Sequence, residues 1–201
     1  MTTDPAAVER RRRAAVAGHT GDLATAAALL ADPDPGVRAT ALAALDRLGG
    51  LEATSLAGAL HDAAPEVRRR ALTLVATRPG DQQPPAVALL DDPDPVVAET
   101  AAWAMGERQP PEPGAAAALA RIATGHPEHL VREAAVAALG AVGDPAGLPA
   151  VLAALGERAT IRRRAVVALA AFDGPEVEAA LHRALEDRDR QVRQAAEDLL
   201  G

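Results

Sequence analysis

Apolar residues return along this chain four, five and eight positions after a recurring aliphatic anchor. Val37 is followed by Ala41, Leu42 and Leu45, and Val131 by Ala135, Val136 and Leu139. Each residue of an α-helix turns the chain by about 100°, so this spacing draws one apolar stripe along a helix. The phrase that carries it occurs six times. It reads "DPDPGVRATALAALDRLG" from Asp32, "DAAPEVRRRALTLVATRPG" from Asp62 and "DPDPVVAETAAWAMGER" from Asp92. It continues as "HPEHLVREAAVAALGAVGD" from His126, "GERATIRRRAVVALAAFDG" from Gly156 and "DRDRQVRQAAEDLLG" from Asp187. The anchors Val37, Val67, Val97, Val131, Ile161 and Val192 are spaced 30, 30, 34, 30 and 31 residues apart. Such regularity marks an internal repeat.

Between copies lies a second, shorter apolar stretch of helical pattern, such as "LATAAALLA" or "LPAVLAAL". Each unit therefore reads as helix A, an Asp/Pro turn, and helix B. Proline near the first turn starts helix B, and Gly49, Gly80, Gly143 and Gly174 are placed to stop it. The expected units are residues 21–49, 50–79, 80–109, 110–143, 144–173 and 174–201, after an Arg-rich capping helix in 1–20. Thirteen helices and no sheet follow. One hairpin cannot bury its apolar faces alone, whereas a stack forms a continuous core. The last copy has Glu197 where the others have Leu, Ala or Val, as a solvent-facing end repeat should. In the leading helix Arg10 to Arg13 interrupt the stripe and leave its register open; they radiate around the helix and are expected to be solvated. Two more residues separate Ile122 from Val131 than Leu30 from Val37, which predicts an enlarged turn there.

Composition narrows the chemistry. With 49% hydrophobic but 1% aromatic residues, the core must be aliphatic. A net charge of −7 argues against general nucleic-acid affinity, which requires a basic surface. No Cys is present, which excludes disulfides, thiol nucleophiles and zinc–thiolate sites. All basic residues are Arg, so there is no P-loop lysine and no Schiff base. Ser55 is the sole serine and lacks a nucleophile-elbow sequence. His126 and His129, with Glu128, lack a visible third or fourth protein ligand and read as a polar turn. Neither metal nor cofactor is expected. The apolar stretch after the basic start, Ala14 to Ala17, is too short for a secretory signal, and nothing approaches the roughly 20 apolar residues of a membrane span. The expectation is a cytoplasmic protein.

The run from Asp32 to Leu45, D-P-D-P-x-V-R-x-x-A-x-x-A-L, resembles short HEAT repeats of the phycobilisome-lyase-like type, and the resemblance extends over residues 21–201. It implies a right-handed α-solenoid of six short HEAT-like helical hairpins preceded by one N-terminal helix. It also implies a ladder between successive repeats, made by Arg38, Arg68, Arg132, Arg162 and Arg193 with Asp34, Asp94 and Asp189. Ala98 and Arg158 interrupt that ladder. In such stacks the B helices line the concave side. Lyase-type relatives handle bilins, and HEAT-like solenoids of the alkylpurine-glycosylase kind bind DNA. The scarcity of aromatics and the acidic balance weigh against both.

Positions two, three and six after each anchor lie off the stripe and face the expected binding side. They place Arg69, Arg70 and Thr73, then Glu99 and Trp103, then Glu133, then Arg163 and Arg164 on one surface. Trp103 is the sole tryptophan, standing where other repeats have Ala43, Thr73 or Ala137. Two readings stay open for it: a contact residue, since Trp and Arg are enriched at binding hot spots, or a ring packed over the neighbouring helix. The favoured function is a non-catalytic protein–protein interaction scaffold, binding a protein or peptide segment of mixed or acidic character. Nucleic acid, membrane and small-molecule substrates are not expected as partners. An accessory or chaperone subunit of a lyase-type enzyme is the alternative.

Overall fold

The computed structural model describes residues 4–201. Residues 1–3 of the expected N-terminal segment lie outside them. Among the described residues all regular structure is helical, with twelve α-helices and five short 3-10 segments, in an all-α fold of the α-solenoid class. The chain divides into two compact units, one running up to Ala86 and the other comprising Val87–Gly201.

The first unit opens with α1 (Pro5–Thr20). Two hairpins follow, α2 (Leu23–Ala28) with α3 (Pro35–Arg47) and α4 (Ala53–Ala59) with α5 (Pro65–Thr77). In the second unit a 3-10 segment, Val87–Asp91, precedes α6 (Pro95–Glu107). Three hairpins complete it: α7 (Ala115–Gly125) with α8 (His129–Val142), α9 (Leu148–Ala154) with α10 (Ala159–Ala168), and α11 (Pro175–Ala184) with α12 (Arg190–Leu200). The thirteenth expected helix is thus the 3-10 segment. Pro84 and Pro85 stand just before it, lacking N–H donors and forcing extended backbone on the preceding residue. The five residues Val87–Asp91 before the turn wind as 3-10 helix.

The stripe is the core. All six anchors are buried, as are the residues four, five and eight positions after them in the first five repeats. In the last repeat Val192 and Ala196 are buried while Glu197 is exposed. Pro35, Pro65 and Pro95 occupy the first turns of α3, α5 and α6. Gly143 ends α8 in a left-handed conformation (φ 64°), its N–H donating to Leu139 O. Two expected stops act elsewhere: Gly80 lies in a 3-10 segment after α5, and Gly174 precedes α11.

Close backbone approach fixes the register of α1. A Cβ at Gly140 would stand 2.7 Å from Ala168 Cα, and one at Gly106 would stand 3.1 Å from Ala138 Cα. Each glycine falls nine positions after its anchor and each alanine seven after the next. Gly18 and Ala44 repeat the relation at 2.9 Å, so α1 stacks on α3 in the position of a helix B. A second correction concerns residues 122–131. The turn there keeps three residues, His126–Glu128, and the extra length lies in α7, which runs α-helical through Gly125.

Candidate protein-binding face

The ladder residues tie the B helices to their turns and to the next repeat. Arg38 Nε and Nη2 donate to both carboxylate oxygens of Asp62, at 2.8 and 2.7 Å. Its Nη1 donates to Asp32 O at 2.8 Å in its own turn. Arg162 does the same with Asp187 (2.7 and 2.8 Å) and Glu157 O (2.8 Å). Arg132 reaches Glu157 at 3.3 Å and His126 O at 2.8 Å. Arg68 and Arg193 clasp their own turns through Asp62 O and Asp187 O. Arg10 joins the series by pairing with Asp32 at 2.7 Å, so it is not a solvated residue of the N-terminal cluster.

The acidic partner differs from the one expected. Asp34, Asp94 and Asp189 sit at the N-caps of α3, α6 and α12, where their carboxylates accept from the backbone amides of Val37, Val97 and Val192. That position turns them toward the helix end and away from the preceding arginine. The residue two positions earlier faces the arginine instead, as with Asp62 and Asp187. The same carboxylates also accept from Ala64 N and Asp189 N. In the fourth repeat His126 Nδ1 takes this turn role, accepting from Glu128 N at 3.1 Å. Among the described residues no cluster of three metal-ligating side chains forms.

In the second unit, α6 and α8 flank a groove of about 360 Å³. Trp103 stands on its wall with 41% of its surface exposed. The floor is made of small side chains, Ala134, Ala137 and Ala138, and Leu130 is exposed at one edge. Glu99, Glu107 and Glu133 supply three carboxylates, and Arg164 the single guanidinium. Arg164 Nε lies 3.3 Å from Glu133 Oε1. Arg163 lines a second groove of about 250 Å³ between α10 and α12, with Val167 and Leu199 exposed there. Arg69, Arg70 and Thr73 lie on α5 of the first unit, where Thr73 Oγ1 donates to Arg69 O. Glu99, Trp103, Glu133 and Arg164 come together around one groove whose charge is acidic rather than mixed.

After α6 comes an ion pair that the repeat pattern gave no sign of. Arg108 and Glu112 are both buried and approach to 3.2 Å, and Glu112 also accepts from Val87 N at 3.1 Å. Burial pushes the Arg108 guanidinium below its ordinary pKa, and Glu112 pulls it back up. Arg108 ends the third copy of the phrase, and Glu112 sits in the proline-rich segment that follows it.

Residues 53–140 and 83–160 match a family model described as HEAT repeats, and together these stretches span more than half the chain. The chain belongs to the HEAT-repeat family. Residues 161–187 match a PBS lyase HEAT-like repeat, so the HEAT units extend through α10 and α11. No curated protein matches this HEAT chain. Among solved structures it is similar to a designed armadillo repeat protein in complex with the peptide (KR)4, at 20% identity. That match covers 89% of this chain and 98% of the other, with a TM-score of 0.65. It is similar to YibA of Escherichia coli at 18% identity, over 100% and 76% of the two chains, with a TM-score of 0.64. An engineered protein shows 22% identity over 89% and 97%, with a TM-score of 0.66. These likenesses show the fold. Among the described residues no helix is long and apolar enough to cross a membrane.

Proposed function

We propose that this HEAT-repeat protein is a non-catalytic interaction scaffold whose B-helix face, centred on Trp103, binds a segment of another protein. The exposure of Trp103 over a formed groove carries the reading. A large apolar ring kept at 41% exposure loses contact with water only when something covers it. The side chains around it stand on packed helices, so little ordering entropy is lost on association. The turn acids and the arginines at the B-helix starts are engaged in caps and inter-repeat pairs, which assigns them to the frame rather than to chemistry. The similar designed armadillo protein is in complex with a peptide, which supports peptide binding by a repeat stack of this kind.

The test compares proteins captured from a lysate by wild type and by Trp103→Ala at equal fold content. Loss of specific partners with the alanine variant is expected. Identical capture by the two proteins removes Trp103 from the function and overturns the reading.

A further inference from the structure

We infer that the Trp103 groove takes the side chain of an arginine or lysine from a basic peptide segment, laid over the indole and paired with the surrounding carboxylates. The inference rests on the binding role proposed for this face and adds the partner's chemistry.

The local charge points that way. Three carboxylates and one guanidinium line the groove, and Arg164 is already paired with Glu133. Among the described residues, the side chains of Glu99 and Glu107 take part in no hydrogen bond or ion pair, so two carboxylates remain to be answered by an incoming cation. An acidic segment would meet repulsion here, and an apolar helix would cover these charges without a partner, at a desolvation cost. The indole adds a second attraction, because its π-face is the electronegative part of the ring and favours a cation above it. The alanine floor leaves an apolar trough for the methylene stem of a long basic side chain, while the charged head stays at the carboxylate rim.

The wider field agrees. Residues 87–201 hold 18 acidic residues against 11 arginines, whereas residues 1–86 hold ten of each. The entire formal charge of −7 therefore belongs to the unit that carries the groove. Such a field raises the encounter rate with a basic segment.

The experiment titrates the full chain with three short peptides of equal length while Trp103 emission is followed. One alternates lysine and arginine, one replaces these by glutamate, and one is built from alanine and leucine with polar ends. The basic peptide alone should change the emission saturably. Its affinity should fall at least about tenfold in the double variant Glu99→Gln, Glu107→Gln, and also on raising the salt. Glu133 is left in place so that its pair with Arg164 persists, and circular dichroism checks that the helices are intact. Absence of a saturable change, an equal response to the other peptides, or an unaffected double variant each overturns the inference. If the basic peptide fails while Trp103→Ala still loses its captured partners, the binding role stands and only the basic partner falls.

Discussion

Arg162 holds Asp187 of the following repeat through two hydrogen bonds of 2.7 and 2.8 Å, with both side chains largely buried. Its third nitrogen clasps Glu157 O in its own turn, so one guanidinium ties a turn to the next repeat. Arg38 and Asp62 reproduce the arrangement in the first unit. Truncating Asp187 leaves a buried guanidinium short of two acceptors and frees the Asp189 amide. Asp187→Ala should lower stability by about 1–3 kcal/mol, the range for hydrogen bonds to charged groups. A denaturant double-mutant cycle with Arg162→Ala should show that most of this loss is shared. Additive losses would mean that the contact contributes nothing as a pair.

The same pairs make the fold sensitive to acid. Asp32, Asp62 and Asp187 are held below the ordinary carboxylate value of 3.8, first by hydrogen bonds from Arg10, Arg38 and Arg162, with burial opposing. A carboxylate with a lower pKa in the folded state binds its proton more readily once unfolded. Its stabilisation is therefore complete above the unfolded value and is lost as pH falls through the folded one. The melting temperature should hold between about pH 7 and 5 and drop below about pH 4. Asp62→Asn should melt lower at neutral pH and show a shallower acid slope. An unchanged slope would remove Asp62 from the set.

Much of this architecture was legible because a period of about 30 residues repeats both the apolar stripe and its turn. The anchors from Val37 to Val192 and the exposed Glu197 could be read from spacing alone. The ladder partner could not. Asp32 and Asp34 share a turn and an identity, and only backbone direction decides which one caps the helix and which faces the preceding arginine. The register of α1 was hidden because Arg13 occupies a stripe position, yet two signals were present. Arg10 stands one position after the site of an anchor and Gly18 nine positions after it, matching Gly106 and Gly140. Glu112, the partner of Arg108, lies in an irregular stretch where no period applies. At the candidate site the angle of Trp103 was readable, but the local charge was not. It depends on Glu107, a residue outside the chosen positions, and on the pairing of Arg164 with Glu133.

The glycines test how tightly the helices stack. Gly140 faces Ala168 so closely that a Cβ would fall 2.7 Å from backbone, which cannot swing aside. Gly140→Ala should cost about 1–3 kcal/mol as α8 and α10 are pushed apart. Gly58, within α4, has nothing within 4 Å of the same point. Gly58→Ala should stabilise by about 0.5–1 kcal/mol through helix propensity. Thermal melts of the two variants should move in opposite directions. A neutral Gly140→Ala would show that the helices separate without cost.

Trp103 in the free protein provides the most direct reading of the face. Val97, Ala101, Ala102 and Met105 fill the buried stripe of α6, and the sixth position after the anchor points away from it. Val167 holds the same position in α10 and is also exposed, so the orientation belongs to the repeat rather than to one side chain. With no other Trp and no Tyr in the chain, the emission reports this ring alone. It should be red-shifted and open to acrylamide or iodide, with iodide the weaker quencher because of the carboxylates alongside. A blue, protected emission in the monomer would make Trp103 a packing residue, and the groove would lose the group on which its function rests.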